Sequence, residues 1–192
     1  MRIVAVAAGV NALHQLPPSS QPLVPQGCRG TYTDPVSSDG LITLLSQEPV
    51  LARASTDALA GRVPTLDLTV TPPARPAVAA TLTRQFAGTE RLPILLVTST
   101  FREAEETTTT LESWLGPDEV AYYPSWETLP HERLSPRTDT VGRRMAVLRR
   151  LVGNAAAPAP SVVVAPVRAL LQPQVAGLGG ITPVELRVGD SH

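Results

Sequence analysis

The stretch "PILLVTSTFREAEETTTTLESWLG", residues 93–116, decides the fold. Pro93 to Thr98 is an apolar run of strand length. Phe101 to Gly116 has the length of a helix, with Leu111, Trp114 and Leu115 on one face and Glu103, Glu105 and Glu106 on a solvated acidic one. The same alternation recurs along the chain. "TLDLTV" (Thr65 to Val70) precedes the helix-like "RPAVAATLTRQFAG", "EVAYY" (Glu119 to Tyr123) leads through a polar loop into "DTVGRRMAVLRRLVG", and "SVVVAPV" (Ser161 to Val167) runs into "RALLQ". Strands alternating with helices over short linkers demand right-handed crossovers. They therefore predict a parallel sheet with helices on both faces. The fold class is α/β, of the P-loop NTPase type.

Outward from this core, "DGLITLLSQEPVLARASTDALAG" reads as an amphipathic helix capped by Ser38 or Asp39, broken at Pro49 and stopped near Gly61. Residues 1–38 read as a disordered leader. "MRIVAVAAGV" carries one arginine and a short apolar run, but "NALHQLPPSSQPLVPQG" lacks the small-residue cleavage site of a signal peptide. The α/β unit is expected over 39–172, with 173–192 a linker toward a further subdomain. "GNAAAPAPS" reads as a flexible Ala/Pro connector. No run approaches the roughly 20 apolar residues of a membrane span, and a cytoplasmic protein is expected.

Composition narrows the chemistry. The chain has 192 residues, 43% hydrophobic and 17% charged, with a net charge of -1, so it has no overall pull toward nucleic acid or anionic lipid. One cysteine, Cys28, excludes an internal disulfide and a multi-cysteine metal site. All 16 basic residues other than histidine are arginine. Without lysine there is no Schiff base, no lysine general base and no phosphate-loop lysine.

In a parallel α/β sheet, ligands gather at the carboxyl ends of the strands, which directs attention to "TVTPPARP", Thr69 to Pro76. A phosphate loop, GxxxxGK[ST], needs glycines for close backbone approach, a lysine for charge and a hydroxyl for magnesium. Here the glycine slots hold Thr69 and Ala74, the lysine slot Arg75 and the hydroxyl slot Pro76. Pro72, Pro73 and Pro76 also remove backbone donors that would cradle an anion. The loop reads as a degenerate Walker A, and Arg75 as a solvated or ion-paired arginine. His14, His131 and His192 are too scattered for a metal triad or a Ser-His-Asp set, so no catalytic residue and no metal site are expected.

The helix after the loop is basic. Val141, Met145, Leu148 and Val152 share one face, which is expected to meet the core and to leave Arg143, Arg144, Arg149 and Arg150 outward. Outward arginines could contact phosphates, but there is no aromatic interleaving to stack bases, and a partner or interdomain surface fits better. Trp126 and Glu127 in the preceding loop are candidates for the same surface. Trp126, Leu129 and Leu134 are expected to fold over the end of the sheet, with Thr138 or Asp139 capping the helix.

"YPSWETLPHERLSPRTDTVGRRMAVLRRL", Tyr123 to Leu151, resembles the signature near the N-terminus of the bacterial transcription-repair coupling factors, the Mfd family. The shared elements are Trp-Glu-Thr-Leu-Pro, Ser-Pro, an Asp soon after, and an arginine-containing helix ending in Leu. The resemblance extends back to "LDLTVTPPARPAVAATL" and forward to "SVVVAPVRALLQPQ" and "VELRVGD", from about Ser38 to the end. It implies a UvrB-like module whose phosphate loop is degenerate. Family members use a C-terminal motor, with ATP and Mg, to displace stalled RNA polymerase on double-stranded DNA, and they recruit UvrA through the UvrB-like module. The polymerase-binding domain, the motor and most of the UvrA surface lie in regions absent here. The fragment itself is expected to be a cofactor-free docking or regulatory module with UvrA and other domains of the full-length protein as partners. Two other readings stay open: a fragment of a UvrB-type excinuclease component, or a non-repair adaptor on a degenerate nucleotide-binding fold.

Overall fold

The computed structural model describes residues 2–3, 38–60, 66–86, 93–128 and 135–182. Its elements in chain order are β1 (Arg2–Ile3), α1 (Ser38–Ser46), α2 (Pro49–Leu59), β2 (Leu66–Asp67), α3 (Arg75–Phe86), β3 (Ile94–Thr98), α4 (Phe101–Leu115), β4 (Val120–Tyr122), α5 (Thr138–Leu151), β5 (Val162–Pro166) and α6 (Val167–Leu171). Single 3-10 turns lie at Pro72–Ala74 and Leu178–Gly180.

Three strands form the parallel sheet, in the order β3-β5-β4. Ile94 to Thr98 pair with Val162 to Pro166 on one side of β5, and Val120 to Tyr122 pair with Val162 to Val164 on the other. Because β5 is central, all of its residues are buried. Its side chains divide between the two faces as a pleat requires. Val162 and Val164 pack with Ala79, Ala80, Ala104, Leu111 and Leu115 under α3 and α4, while Val163 and Ala165 pack with Val147 and Ala169 under α5 and α6. Burying a side chain such as Leu111 completely stabilises the fold by about 2–3 kcal/mol. The second face is covered only in part, for Leu95 and Val97 of β3 remain 49% and 47% exposed.

The helix boundaries have local causes. Glu48 accepts hydrogen bonds from the N–H groups of Val50 and Leu51 at 2.8 and 2.9 Å, and Pro49 opens α2, where its missing N–H costs nothing. Pro49 therefore divides the expected single helix into α1 and α2. The Thr100 hydroxyl accepts from the Glu103 N–H at 3.1 Å to start α4, and Gly116, at φ +95°, ends it.

Four expectations need correction. Among its described residues "TLDLTV" supplies no strand to the parallel sheet: Leu66–Asp67 pairs antiparallel with Arg2–Ile3, and Leu68 and Val70 pack against Leu51, Val78 and Leu82. Helix α5 is rotated by about one position from its expected phase. Thr140, Arg144 and Val147 are its buried residues, whereas Val141 is 37% and Val152 57% exposed. Neither Thr138 nor Asp139 caps it; both lie inside the helix, and Arg137 is the cap residue without a side-chain bond. The connector "GNAAAPAPS" is pinned through the Asn154 and Pro158 carbonyls and the buried Pro160. Leu129, His131 and Leu134, most of residues 1–38 and residues 183–192 lie outside the described residues.

Candidate functional site

Two turns follow strands of the sheet with functional candidates nearby. The first lies between β3 and α4. Glu103, in the first turn of α4, accepts from the Ser99 hydroxyl at 2.7 Å and the Ser99 N–H at 3.2 Å, and its other carboxylate oxygen meets Arg75 Nη1 at 3.1 Å. The Ser99 hydroxyl, with smaller help from Arg75, holds the Glu103 carboxyl below the usual carboxylate range. Arg75 is thus ion-paired, one of the two states expected for it. Thr69 is exposed, Ala74 half-buried and Pro76 buried; Ala74 ends the 3-10 turn that lies between the other two, and the turn's cap residue Thr71 makes no side-chain bond.

The second turn carries the Trp126 loop. The Tyr123 N–H bonds the Val164 carbonyl at 2.8 Å, extending the β4 ladder by one residue. Beyond it, Gln172 acts as a surrogate strand: its Oε1 accepts from the Trp126 N–H at 2.7 Å, and its Nε2 donates to the Trp126 carbonyl at 3.1 Å. Both backbone groups of one loop residue are therefore satisfied by one side-chain amide.

Arg144 of α5 closes the arrangement. The residue is only 1% exposed, and its guanidinium carbon lies 4.1 Å from the Tyr123 ring centroid and 4.2 Å from that of Trp126. Nη1 donates to the Pro124 carbonyl at 2.7 Å, and Nη2 to Gln174 Oε1 at 2.7 Å. The same Gln174 oxygen accepts from the Tyr123 hydroxyl at 3.0 Å. Arg144 Nε has no acceptor, and among the described residues no carboxylate pairs with this cation. A delocalised, weakly hydrated guanidinium tolerates such a site because the aromatic faces and carbonyl dipoles replace the missing anion. Burial lowers the Arg144 pKa from its usual value and raises that of the Tyr123 hydroxyl, the second effect opposed by the Arg144 charge.

Glu127 lies exposed one residue beyond Trp126 and accepts from the Thr140 hydroxyl, which keeps its carboxyl below the usual range and ties the loop to the first turn of α5. The remaining arginines divide. Arg149 donates to the Asn154 carbonyl through Nε at 3.2 Å and Nη2 at 2.6 Å. Arg150 donates to the Pro158 carbonyl at 2.9 Å and to that of Asp118. Arg143 is exposed and makes no hydrogen bond or ion pair among the described residues. The expected outward row of four arginines is therefore a correction: Arg144 is in the core, and Arg149 and Arg150 are half-buried and spent on backbone carbonyls. The rotated phase of α5 is the cause.

Residues that the motif reading passed over complete the site. Gln172, Gln174 and Gly179 come from the segment after β5. Gly179 packs so closely on α5 that a Cβ there would sit 2.8 Å from the Leu148 carbonyl oxygen. The run "LLQPQVAGLGG" has no periodicity that could announce these roles. Among the described residues no group of three His, Cys, Asp or Glu comes together, and no helix is long and apolar enough to cross a membrane.

No family model matches the chain. The transcription-repair-coupling factors of Mycobacterium bovis and Mycobacterium tuberculosis are each 44% identical to it over 167 residues, 83% of this chain. The chain spans only 13% of the length of these relatives. The resemblance met in "YPSWETLPHERLSPRTDT" thus extends over most of the chain, which is by sequence a relative of the transcription-repair-coupling factors, sharing a segment of them and not their whole length.

Proposed function

We propose that this chain corresponds to the N-terminal, UvrB-like part of a transcription-repair coupling factor and acts as a non-catalytic docking or regulatory module in transcription-coupled nucleotide excision repair. The identity over 83% of the chain, set against 13% of the relatives, carries the reading. On this view ATP and Mg act in motor domains elsewhere in the full-length protein. RNA polymerase and double-stranded DNA are met through those other regions, and UvrA or a neighbouring domain is the partner of this unit. The work is cytoplasmic.

The turn before α3 supports a module that does not turn over nucleotide. At the slot where a phosphate-loop lysine would neutralise charge stands Arg75, already neutralised by Glu103 at 3.1 Å. The prolines around it lack the N–H groups that would hold an anion. The test has two arms. Calorimetry should find no magnesium-dependent ATP binding by the chain; micromolar binding would overturn the non-catalytic reading. A version extended past His192 should retain UvrA in a pull-down, and loss of UvrA retention would count against the repair assignment.

A further inference from the structure

We propose that Gln172-Pro173-Gln174 is a two-pronged clasp through which the segment leaving the sheet holds the Trp126 loop shut on Arg144, so that loop and segment open together. Gln172 grips both backbone groups of Trp126, and Gln174 grips Arg144 and the Tyr123 hydroxyl with a single oxygen. Pro173 sets the two amides on a short, stiff spacer.

The chemistry makes the two prongs interdependent. Arg144 is buried with its positive charge answered, among the described residues, by two rings, the Pro124 carbonyl and Gln174. Removing Gln174 leaves a buried cation short of an acceptor and a tyrosine hydroxyl with none. Such a site relieves the deficit by admitting water. Gln174 is itself exposed, so water enters where its side chain stood and draws the Arg144 guanidinium toward it, away from the Trp126 ring 4.2 Å off, and so loosens the residue whose two backbone groups Gln172 holds. In the other direction, a pull along the described part of this segment is resisted where Gly179 seats against Leu148 and at Gln174 and Gln172. Whatever loads the outgoing chain therefore decides whether Trp126 and Glu127 stay fixed against α5 or come free of it. The clasp is a conformational relay independent of any nucleotide.

Amide hydrogen exchange on the 192-residue chain tests this. The hydrogen bonds of Gln174 go to Arg144 and Tyr123 and those of Trp126 to Gln172, so Gln174→Ala reads coupling and not a lost direct bond. Exchange at the Trp126 amide should rise about tenfold in Gln174→Ala, in step with residues 172–182. A rise confined to 172–182, with Trp126 unchanged, overturns the proposal. Should Gln174→Ala fail to fold, Gln174→Glu decides. It keeps the acceptor and adds a charge facing Arg144, so it should slow exchange at Trp126 and across 172–182 together; slowing at only one of the two sites refutes the relay.

Discussion

The turns after β3 and β4 solve the same task by different means. After β3, Thr100 caps α4 from three residues before its donor, and Ser99 and Glu103 bond across four residues. The one distant participant, Arg75, meets Glu103 as an ion pair with both side chains about a third exposed. After β4, the loop's partners lie 46 and 51 residues further along, and the charge is buried without an acid among the described residues. Charge near water needs little from the fold, since an exposed ion pair contributes under about 1 kcal/mol. Charge in the core needs every neighbour in place.

The sharpest way to break this contrast is Arg144→Ala. It orphans the Pro124 carbonyl, leaves the Gln174 oxygen with the Tyr123 hydroxyl as its donor and empties the space between the rings, so urea denaturation should report a loss of about 3 kcal/mol. Arg144→Lys should recover less than half, because an ammonium cannot stack between two faces while donating in a fork. Gly179→Ala comes next. Its new methyl meets backbone and cannot be accommodated by a side-chain rotation, which should cost about 1–3 kcal/mol in a thermal melt. Gln172→Ala should cost about 1 kcal/mol by urea denaturation.

At the other turn the effect should be smallest. Arg75→Ala is expected to change stability by about 0.5 kcal/mol, diminishing with added salt, as a salt series of melts would show. The pH dependence there has a definite sign. A carboxyl with a depressed folded pKa adds stability above its unfolded pKa and forfeits it as pH falls through the folded one. Acid titration of stability should therefore flatten in Glu103→Gln over and below the ordinary carboxylate range. An equal acid slope in both proteins would remove Glu103 from the account.

These two turns also explain what could be read from residues alone. The strands at 94–98, 120–122 and 162–166 and the helices between them follow from local hydrophobic pattern, and they emerged within a residue or two of expectation. For Arg75 the residues left two states open, solvated or ion-paired, and the structure shows the second, with Glu103 as the partner that the motif did not name. The burial of Arg144 was not legible, since period alone favours Val141, Met145, Leu148 and Val152. A helical stripe that includes a cation follows only from neighbours far along the chain: two aromatic rings, the Pro124 carbonyl and Gln174. Likewise "TLDLTV" has strand composition, but joining a sheet depends on a neighbour that its own residues do not specify.

The order β3-β5-β4 has a consequence for synthesis. The first two strands of the parallel sheet flank the last one and never pair with each other. A chain emerging from the ribosome therefore holds Ile94–Thr98 and Val120–Tyr122 without a mate until Val162–Pro166 appears, and long-range pairing of this kind is slow. The same short length of chain that supplies the missing strand then delivers Gln172 and Gln174 within a few further residues. Sheet closure and the burial of Arg144 should be one late event, with the cation kept in water until the partners that replace that water have been made.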